Sequence, residues 1–455
     1  MPRNRRVLKR EVLFIQVQLS SPLSVSSGDG EWTDSDVLRD PEGNPFVAGS
    51  SLAGAMRAYI EKKKTEDCIF GFSRNDSNGN DTGRMSSVFI SDLTFEGEVS
   101  FGTRDGVSLN DNKTAEDGSK FDMEIIESCE KAHFFMELTI READDETEMH
   151  REISEIIHGI NNGEIRLGSK KTRGFGEFKV LEIRSRLYDS SNYLDYAEAY
   201  YADDDKKPWW EEGENCLAAW MSYANDASKM IHIEVPLRMR GGISIRRYAA
   251  KKGEPDFTTV TGRNSEAGSQ QSADRDIPVI PGSSMAGAMR HRVKEILTEL
   301  KEAGVKLPGE IDKYVDIAFG YVHGNKACSS NIIIGETEIK NARPLTMVRT
   351  GVSRFESAVK QGALYKERTY VDGTFTLKIM IRKGSNPADE KWILGLLLLA
   401  VKDLQNGLLA VGGQTAIGRG ICEANGSIRI DGEQGTEDDY IRNIYRNMTA
   451  EGGSC

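Results

Sequence analysis

Hydrophobic and polar residues follow two alternating patterns along this chain, one typical of strands and one typical of helices. In the first half, Val17 and Leu19 end a stretch in which apolar and polar residues alternate, as in a half-buried strand. The pattern predicts a strand, a helix, two strands, a helix and a strand, at residues 12–19, 51–64, 86–94, 134–140, 148–161 and 174–183.

The second half shows the same order of elements. Ile231, Ile233 and Val235 alternate with polar residues, and a similar stretch begins at Phe375. The predicted elements are residues 231–237, 284–303, 331–339, 375–381, 388–404 and 418–430. The order β-α-β-β-α-β is that of the ferredoxin-like split unit. The sequence therefore predicts an α+β protein with two tandem ferredoxin-like, RRM-like domains.

Several segments fall outside this repeated order. The polar segments Thr103–Glu127 and Arg343–Val371 interrupt the two halves at equivalent points and predict inserted hairpins. The stretch between the halves contains Trp209 and Trp210 and is too aromatic for a flexible linker, so we expect a docked connector. The predicted divisions are a first domain at 1–187, a connector at 188–230, a second domain at 231–432 and an acidic tail at 433–455.

A nine-residue segment occurs once in each half, and we call each copy a nonamer. Gly49-Ser50-Ser51-Leu52-Ala53-Gly54-Ala55-Met56-Arg57 returns as Gly282-Ser283-Ser284-Met285-Ala286-Gly287-Ala288-Met289-Arg290. A serine before a helical pattern can act as the N-cap, and the amino end of a helix attracts anions. Glycine at 54 and 287 lets another backbone approach closely. The candidate phosphate-binding residues are Ser50, Ser51, Arg57, Ser283, Ser284 and Arg290, with an ordinary capped helix as the alternative interpretation.

Each half also ends in a glycine-rich turn. The first runs from Gly168 to Gly176 and the second from Gly412 to Gly420. Glycines allow backbone amides to face a phosphate, although a tight turn into an edge strand explains them equally well. The basic residues in these turns are candidate contacts for a polyanion: Lys170, Lys171, Arg173 and Arg419.

Composition narrows the class of partner. The 455 residues carry a formal net charge of −12, which argues against a simple basic nucleic-acid-binding protein but leaves room for a local basic groove. The longest apolar run, Ile393 to Val401, is too short to span a bilayer, and the basic amino terminus is not followed by a long apolar core. We therefore expect a cytoplasmic protein without a membrane partner.

Candidate catalytic groups are few. The six histidines show no paired spacing, and no Ser-His-Asp or Cys-His arrangement is apparent. Asp34, Asp36 and Asp40 lie in a loop just before the first nonamer, where a carboxylate beside a phosphate-binding groove could hold a hydrated Mg²⁺. The alternative for acidic loop residues is turn formation or capping.

Taken in order, these motifs resemble the RAMP superfamily, specifically the backbone subunits of type III CRISPR effector complexes. The resembling residues are Asp34 to Asp40, then Pro45-Phe46-Val47-Ala48-Gly49-Ser50-Ser51-Leu52-Ala53-Gly54 with Arg57, and the closing Arg173-Gly174-Phe175-Gly176. The second half repeats Pro278-Val279-Ile280-Pro281-Gly282-Ser283-Ser284, Arg290 and Gly418-Arg419-Gly420. Three positions depart from the family pattern: Ala53 and Ala286 replace a lysine, and Ala48 replaces a proline.

The resemblance implies a specific function. The two domains would bind the spacer part of a CRISPR RNA, and their insertions would act as thumbs that interrupt the duplex of guide and target. Asp34 matches the family's target-cleaving aspartate, and Asp256 is the best candidate in the second half. Target RNA would be cleaved by metal-dependent attack of a 2′-OH, with Mg²⁺ as the cofactor and Asp34 as its ligand.

The same resemblance implies the partners. They are CRISPR RNA, target RNA, other RAMP subunits, and the large and small subunits of the complex; the fused pair suggests a type III-D-like complex. Two alternatives stay open at this point. One is a non-catalytic scaffold that binds CRISPR RNA. The other is a standalone RAMP endoribonuclease that processes precursor CRISPR RNA.

Overall fold

The computed structural model divides the chain into two compact units. It describes all residues except 1–5, 27, 29, 31, 62–68, 73–82, 111–113, 201–207, 249–254, 263–276, 308, 385–386, 443 and 445–455. Unit 1 consists of Met1–Thr103, Asp122–Lys171 and Phe175–Ser228. Unit 2 consists of Arg104–Phe121, Thr172–Gly174 and Lys229–Cys455, so two short pieces of the first repeat belong to it.

The first part of the chain contains eight strands and four α-helices among its described residues. The strands are β1 (Val7–Leu19), β2 (Phe46–Val47), β3 (Val88–Ile90), β4 (Leu93–Phe95), β5 (Phe101–Gly106), β6 (Phe121–Ile126), β7 (Lys131–Arg141) and β8 (Phe178–Tyr188). The helices are α1 (Gly49–Glu61), α2 (Glu146–Asn161), α3 (Trp209–Glu212) and α4 (Leu217–Met221). Strands β5 and β6 form a separate two-stranded hairpin, called hairpin 1, which begins two residues before the predicted insertion Thr103–Glu127 and otherwise lies in it.

The main sheet of unit 1 has the order β2-β4-β7-β1-β8, and β3 also pairs with β7. Strand β1 lies between β7 and β8 and is antiparallel to both. Its alternate residues Leu13, Ile15 and Val17 point to one face, where they share a core with buried residues of α1 and α2. Asp145 caps α2 by accepting a hydrogen bond from the amide of Glu148.

The predicted connector follows β8, and the structure describes its residues 189–200 and 208–230. A 3₁₀ helix at Tyr193–Glu198 and α3 lie on the face opposite α1 and α2, where Trp210 stacks on Phe14 with ring centroids 6.0 Å apart. The chain then crosses β8, and the amide of Cys216 donates to the carbonyl of Ile183 at 2.7 Å. Strand β8 thereby gains hydrogen-bond partners on its outer edge.

A buried charge anchors the connector to the sheet. Glu137 of β7 is almost inaccessible to solvent and accepts hydrogen bonds from Arg10, Tyr196 and Tyr200. Burial alone would raise the pKa of Glu137, but the two hydroxyls and the guanidinium lower it more, so this pKa lies below its ordinary value. Burial and the same carboxylate raise the pKa of Tyr196 to about 12.

The second part of the chain contains sixteen strands and four helices among the residues that the structure describes. The strands are β9 (Met230–Met239), β10 (Gly242–Ile243), β11 (Arg246–Tyr248), β12 (Phe257–Thr259), β13 (Thr261–Gly262), β14 (Ile277–Ile280), β15 (Tyr321–His323), β16 (Lys326–Cys328), β17 (Ile332–Ile334), β18 (Thr337–Glu338), β19 (Arg343–Arg349), β20 (Tyr365–Val371), β21 (Thr374–Arg382), β22 (Cys422–Ala424), β23 (Arg429–Ile430) and β24 (Glu433–Gln434). The helices are α5 (Gly282–Glu302), α6 (Ile311–Phe319), α7 (Pro387–Gln405) and α8 (Glu437–Arg442).

Unit 2 has a main sheet with the order β17-β21-β9-β23-β24, in which β22 also pairs with β9. Alternate residues of β9, among them Ile233, Val235 and Leu237, share a core with α5 and α7. Strands β19 and β20 form hairpin 2 within the predicted insertion, and β10 and β12 extend it along β20. Both units are thus mixed α+β, as the sequence predicts.

The sequence missed the short elements of unit 2. No element was predicted between residues 237 and 284, but the described part of that segment contains β10 to β14, because strands of two to four residues have no detectable period. Helix α6 was also missed, although Gly309 precedes it and Gly320 ends it with a φ of 76°. A glycine just after an apolar helical segment is the signal that could have revealed this helix.

The predicted acidic tail contains a packed helix, α8. Helix α8 packs on α7: a Cβ added at Gly395 would lie 2.5 Å from Ile444 and 2.8 Å from the carbonyl oxygen of Tyr440. Lys402 of α7 also pairs with Glu437 at 3.0 Å. Residues 437–442 and 444 of the predicted acidic tail are therefore packed on unit 2, and 445–455 lie outside the described residues. Within the described part of the chain, no helix is long and apolar enough to cross a membrane.

Candidate functional site

Both nonamers begin a helix, but their serines do not cap it. The amides of Ser51 and Leu52 donate to the carbonyl of Ala48, and those of Ser284 and Met285 donate to Pro281. Pro281 is the N-cap of α5 and makes no side-chain capping bond. The predicted serine N-cap is therefore wrong, because each helix starts two residues earlier than expected, at Gly49 and Gly282. Ser50, Ser51 and Ser283 instead lie in the first turn with exposed side chains, and Ser284 is half-buried there.

The glycines of the nonamers also have other roles than expected. A Cβ added at Gly54 or Gly287 would have nothing within 4 Å, so neither residue allows close packing within the chain. The first glycine of each nonamer, in contrast, is closely packed against another part of the chain. A Cβ at Gly49 would lie 2.5 Å from the carbonyl oxygen of Ile90, and one at Gly282 would lie 2.2 Å from that of Ile334. The first residue of each helix thus packs against the neighbouring strand.

The amino end of α5 lies beside two arginines within unit 2. We call the two glycine-rich turns, residues 168–176 and 412–420, the first and second closing turns. The carbonyl oxygen of Arg173 would be 2.2 Å from a Cβ at Gly282, which places this part of the first closing turn directly at the amino end of α5. Arg290 donates to the carbonyl of Gly320 at 2.7 Å and to Asp316 at 2.9 Å. Burial, and then the charge of Arg290, lower the pKa of Arg173. Among the described residues Arg173 has no carboxylate partner, so an uncompensated cation lies at a helix amino end.

In unit 1 the corresponding helix end is arranged differently. The amide of Gly49 donates to the carboxylate of Asp92 at 2.7 Å, so an acidic side chain already lies at the start of α1. Arg57 is half-buried in the third turn of this helix. Lys170 and Lys171 lie in the first closing turn, which packs against Ser24 through Gly168. The structure therefore brings the predicted phosphate-binding residues Ser283, Ser284, Arg290 and Arg173 together around α5.

Arg419, predicted to bind RNA, lies in the interior. Only 5% of the residue is exposed, and its guanidinium is 3.5 Å from the carboxylate of Glu367 on hairpin 2. Burial lowers the pKa of Arg419, although Glu367 opposes this shift. This arginine therefore ties the second closing turn to hairpin 2.

The candidate catalytic aspartate of the first half contacts hairpin 1. Asp34 is exposed, and its carboxylate accepts a hydrogen bond from the amide of Asp122 at 2.9 Å. In return, the amide of Asp34 donates to the carboxylate of Asp122 at 3.0 Å. Its neighbour Asp36 is buried and accepts from the amides of Trp32 and Thr33, so Asp36 shapes the loop. The loop thus holds Asp34 at the start of strand β6.

The candidate of the second half occupies a matching position on hairpin 2. Asp256 is exposed and accepts a hydrogen bond from the amide of Lys366 at 2.7 Å. Lys366 is the second residue of β20, just as Asp122 is the second residue of β6. Each aspartate therefore contacts the returning strand of its hairpin through the same type of bond. The neighbouring side chain differs, because it is a carboxylate in unit 1 and a lysine in unit 2.

Comparison with known proteins decides the family. The family model described as the RAMP superfamily matches residues 17–179 and 231–423, which together cover most of the chain. The chain belongs to the RAMP superfamily. Among curated proteins, none matches it. RAMP membership indicates an RNA-binding role in CRISPR systems, and the two matched regions agree with two tandem RAMP domains.

The two RAMP hairpins carry exposed apolar residues that were not among the predicted site residues. Val107 and Leu109 are exposed near the tip of hairpin 1, and Val352, Phe355 and Val359 are exposed at the tip of hairpin 2. Phe355 shows a relative exposure of 102%, so its ring contacts nothing that would shield it. Scattered apolar residues in a polar insertion were the available signal, but their exposure depends on the hairpin standing apart from the sheet.

Proposed function

We propose that this RAMP protein is a backbone subunit of an RNA-guided type III CRISPR complex. It would bind CRISPR RNA and cleave complementary target RNA beside each hairpin. The observation that carries the proposal is the matching placement of Asp34 and Asp256, each exposed and held by the returning strand of a hairpin. A repeated, solvent-facing carboxylate has no role in the core, and its repetition favours a shared function.

Guide binding is supported by the arrangement at α5. Amides in the first turn of a helix attract phosphate, and the exposed hydroxyl of Ser283 adds a further donor. Arg173 would supply charge that no described carboxylate neutralises. These groups recognise the sugar–phosphate backbone rather than base edges, so the proposed binding is independent of RNA sequence.

Target interruption is supported by the apolar tips. Val352 and Phe355 lie on hairpin 2 with basic residues, such as Arg354 and Lys360, close by in sequence. Apolar side chains can insert between stacked bases, and neighbouring cations can hold the phosphates on either side. A nucleotide displaced at a hairpin would then lie near the aspartate at its returning strand.

In the proposed cleavage, the main task of the protein is to position the target nucleotide. The 2′-oxygen of a displaced target nucleotide can line up with the adjacent phosphorus and attack it, forming a 2′,3′-cyclic phosphate as the bond from phosphorus to the 5′-oxygen of the next nucleotide breaks. The 2′-OH gives its proton to water, and the departing 5′-oxygen takes a proton from water. Asp34 or Asp256 would orient the displaced nucleotide by accepting a hydrogen bond, since each is exposed beside a hairpin. The hairpins would hold the flanking phosphates in place.

The donor set at Asp34 suits a hydrated Mg²⁺. The exposed Asp34 and partly exposed Asp122 carboxylates lie together, and each uses one oxygen in the exchange of amide hydrogen bonds. The described residues contain no group of three or more His, Cys, Asp or Glu side chains placed to hold a metal. Mg²⁺ retains several waters and is commonly bound by one or two carboxylates plus phosphate. When bound, it would stabilise the charge that develops on the phosphate.

The test is to map target-RNA products from complexes that contain Asp34→Ala or Asp256→Ala in Mg²⁺. Each variant should lose one cut and keep assembly and target binding, because an exposed loop carboxylate contributes little to the core. Asp40→Ala is the matched control, since Asp40 lies in the same loop but bonds within a turn to Asn44. An unchanged product ladder for Asp34→Ala would refute catalysis by the first domain.

A non-catalytic scaffold is the second candidate, and one observation favours it for the second domain. Asp256 is held by a lysine amide where Asp34 is held by an aspartate, so the second site lacks the additional carboxylate. If Asp256→Ala leaves every cut in place while Asp34→Ala removes one, the second domain is a scaffold. The standalone processing nuclease gains no support from the arrangement of the described histidines.

A further inference from the structure

Unit 2 contains a buried ion pair between Arg104 of hairpin 1 and Glu336. Arg104 contacts Glu336 through two nitrogens, at 3.2 and 3.4 Å, and the side chains are only 7% and 8% exposed. Nearby, a Cβ added at Gly174 would lie 2.5 Å from the amide nitrogen of Glu336. Arg104 of hairpin 1 thus contacts Glu336, and the first glycine-rich turn packs beside it against Glu336 and the start of α5.

The same receiving surface recurs in unit 1. Asp92 follows strand β3 by two residues, as Glu336 follows β17, and Gly49 corresponds to Gly282 at the start of the helix. The three atoms nearest to a Cβ at Gly49 all belong to Ile90 and Ser91, whereas at Gly282 two of the three belong to Arg173. Asp92 is exposed, while Glu336 is not. We call Gly49, Ser91 and Asp92 the socket.

The corresponding arginine of hairpin 2, Arg349, forms an ion pair within its own hairpin. Arg349 stands two residues before Gly351, as Arg104 stands two residues before Gly106. Unlike Arg104, it lies 3.4 Å from Glu367, which is 1% exposed and also faces Arg419. Glu367 follows Lys366 directly, and the residue at the matching place in hairpin 1 is the apolar Met123. A buried carboxylate therefore retains Arg349 within hairpin 2.

Among the residues that the structure describes, the second closing turn also lacks the contacts that the first closing turn makes with Glu336 and α5. The 3₁₀ helix Thr415–Ile417 matches Lys171–Arg173, so Ile417 stands in the place of Arg173. Ile417 is exposed, and a Cβ added at Gly418 would meet nothing within 4 Å. In the second repeat, therefore, the hairpin arginine is already paired within hairpin 2, and the closing turn has no arginine at the position of Arg173.

We propose that the socket receives a hairpin arginine and a glycine-rich turn from a domain of another protein, and that Glu367 prevents a second copy of this chain from filling it. A head-to-tail contact that does not close would otherwise generate filaments. The partner has the chemistry that the Arg104 segment already shows: an arginine on a hairpin strand followed by a close-packed turn. This inference rests on the proposed role within an assembly and specifies the neighbour at one end.

The test is sedimentation velocity of the full-length chain without RNA, over a wide range of protein concentration. The wild type should sediment as one chain of 50.5 kDa at every concentration. The double variant Glu367→Met with Arg419→Phe introduces the residues of the first repeat, Met123 and Phe175, and removes both buried charges together. It should release Arg349 and associate reversibly as concentration rises.

Two further substitutions identify the contact. Adding Asp92→Ala or Arg349→Ala to the double variant should return it to a single chain, because each removes one side of the ion pair. Wild-type oligomers that Asp92→Ala dissolves would overturn the proposal, and so would a folded double variant that stays a single chain. If circular dichroism shows that the double variant is unfolded, Glu367→Gln serves instead, since it removes the charge at nearly constant volume and should produce weaker association.

This experiment is independent of the proposed cleavage. Loss of target cuts is measured on RNA products, whereas association is measured on protein alone. A failure of the aspartate variants would leave the sedimentation result intact, and a failure of the sedimentation test would leave the aspartate result intact.

Discussion

At the scale of single residues, Glu137 makes stability depend on pH. Its pKa in the folded protein lies below the ordinary value of 4.5, so the folded state favours the ionised form. The stabilisation is complete above pH 4.5 and is lost as the pH falls through the folded pKa. Glu137→Gln should lower the free energy of unfolding by about 1–3 kcal/mol at pH 7 and flatten its decrease in acid. Urea unfolding at pH 7 and in mild acid measures both effects, with the exposed Glu42→Gln as a control that changes neither.

The nonamer glycines give a matched pair of substitutions at the same scale. Gly287→Ala adds a methyl group in open space within a helix and should stabilise the protein by up to about 1 kcal/mol. Gly282→Ala forces the new methyl group to 2.2 Å from two carbonyl oxygens and should lower the melting temperature. Thermal unfolding of the two variants checks the assignment. A stabilised Gly282→Ala protein would show that this contact can relax.

At the scale of elements, the connector stabilises the first sheet by covering aromatic residues. Trp210 packs on Phe14 and Phe135, with centroids 6.0 and 5.1 Å away. Trp210→Ala should cost about 2 kcal/mol and speed hydrogen exchange in β8, because the segment that covers this strand loses its anchor. Tyr193→Ala, at an exposed position of the same connector, should cost less than about 0.5 kcal/mol. Equal exchange rates in β8 for both variants would contradict the anchoring role.

Long elements were predictable and short ones were not, for a physical reason. Strands β1, β7, β9 and β21 bury one face, so their sequences alternate and the prediction finds them within a few residues. The aspartates were found by resemblance, but their contact with the hairpins depends on pairs separated by 88 and 110 residues. The burial of Arg419 could not be predicted either, because it depends on Glu367, a residue of a distant hairpin.

At the scale of the whole molecule, a net charge of −12 coexists with a local cationic site at α5. Arg173→Ala should weaken RNA binding uniformly across sequences and reduce the slope of log affinity against log salt by about one. Fluorescence anisotropy in a salt titration measures this slope. Arg238→Ala is the control, because Arg238 lies on the main sheet of unit 2 and already pairs with Glu423. An equal change in both variants would indicate a general charge effect rather than a phosphate contact.

The pairing of Arg104 with Glu336 has a consequence for synthesis on the ribosome. The two residues are 232 positions apart, so at about 5–20 residues per second the arginine waits roughly 10–50 s for its partner. An apolar residue at the position of Arg104 would be exposed throughout this delay and could bind nonspecifically to the translation machinery and to chaperones. A guanidinium remains hydrated until the glutamate emerges, so a contact that is almost dry in the finished protein is harmless in the nascent chain.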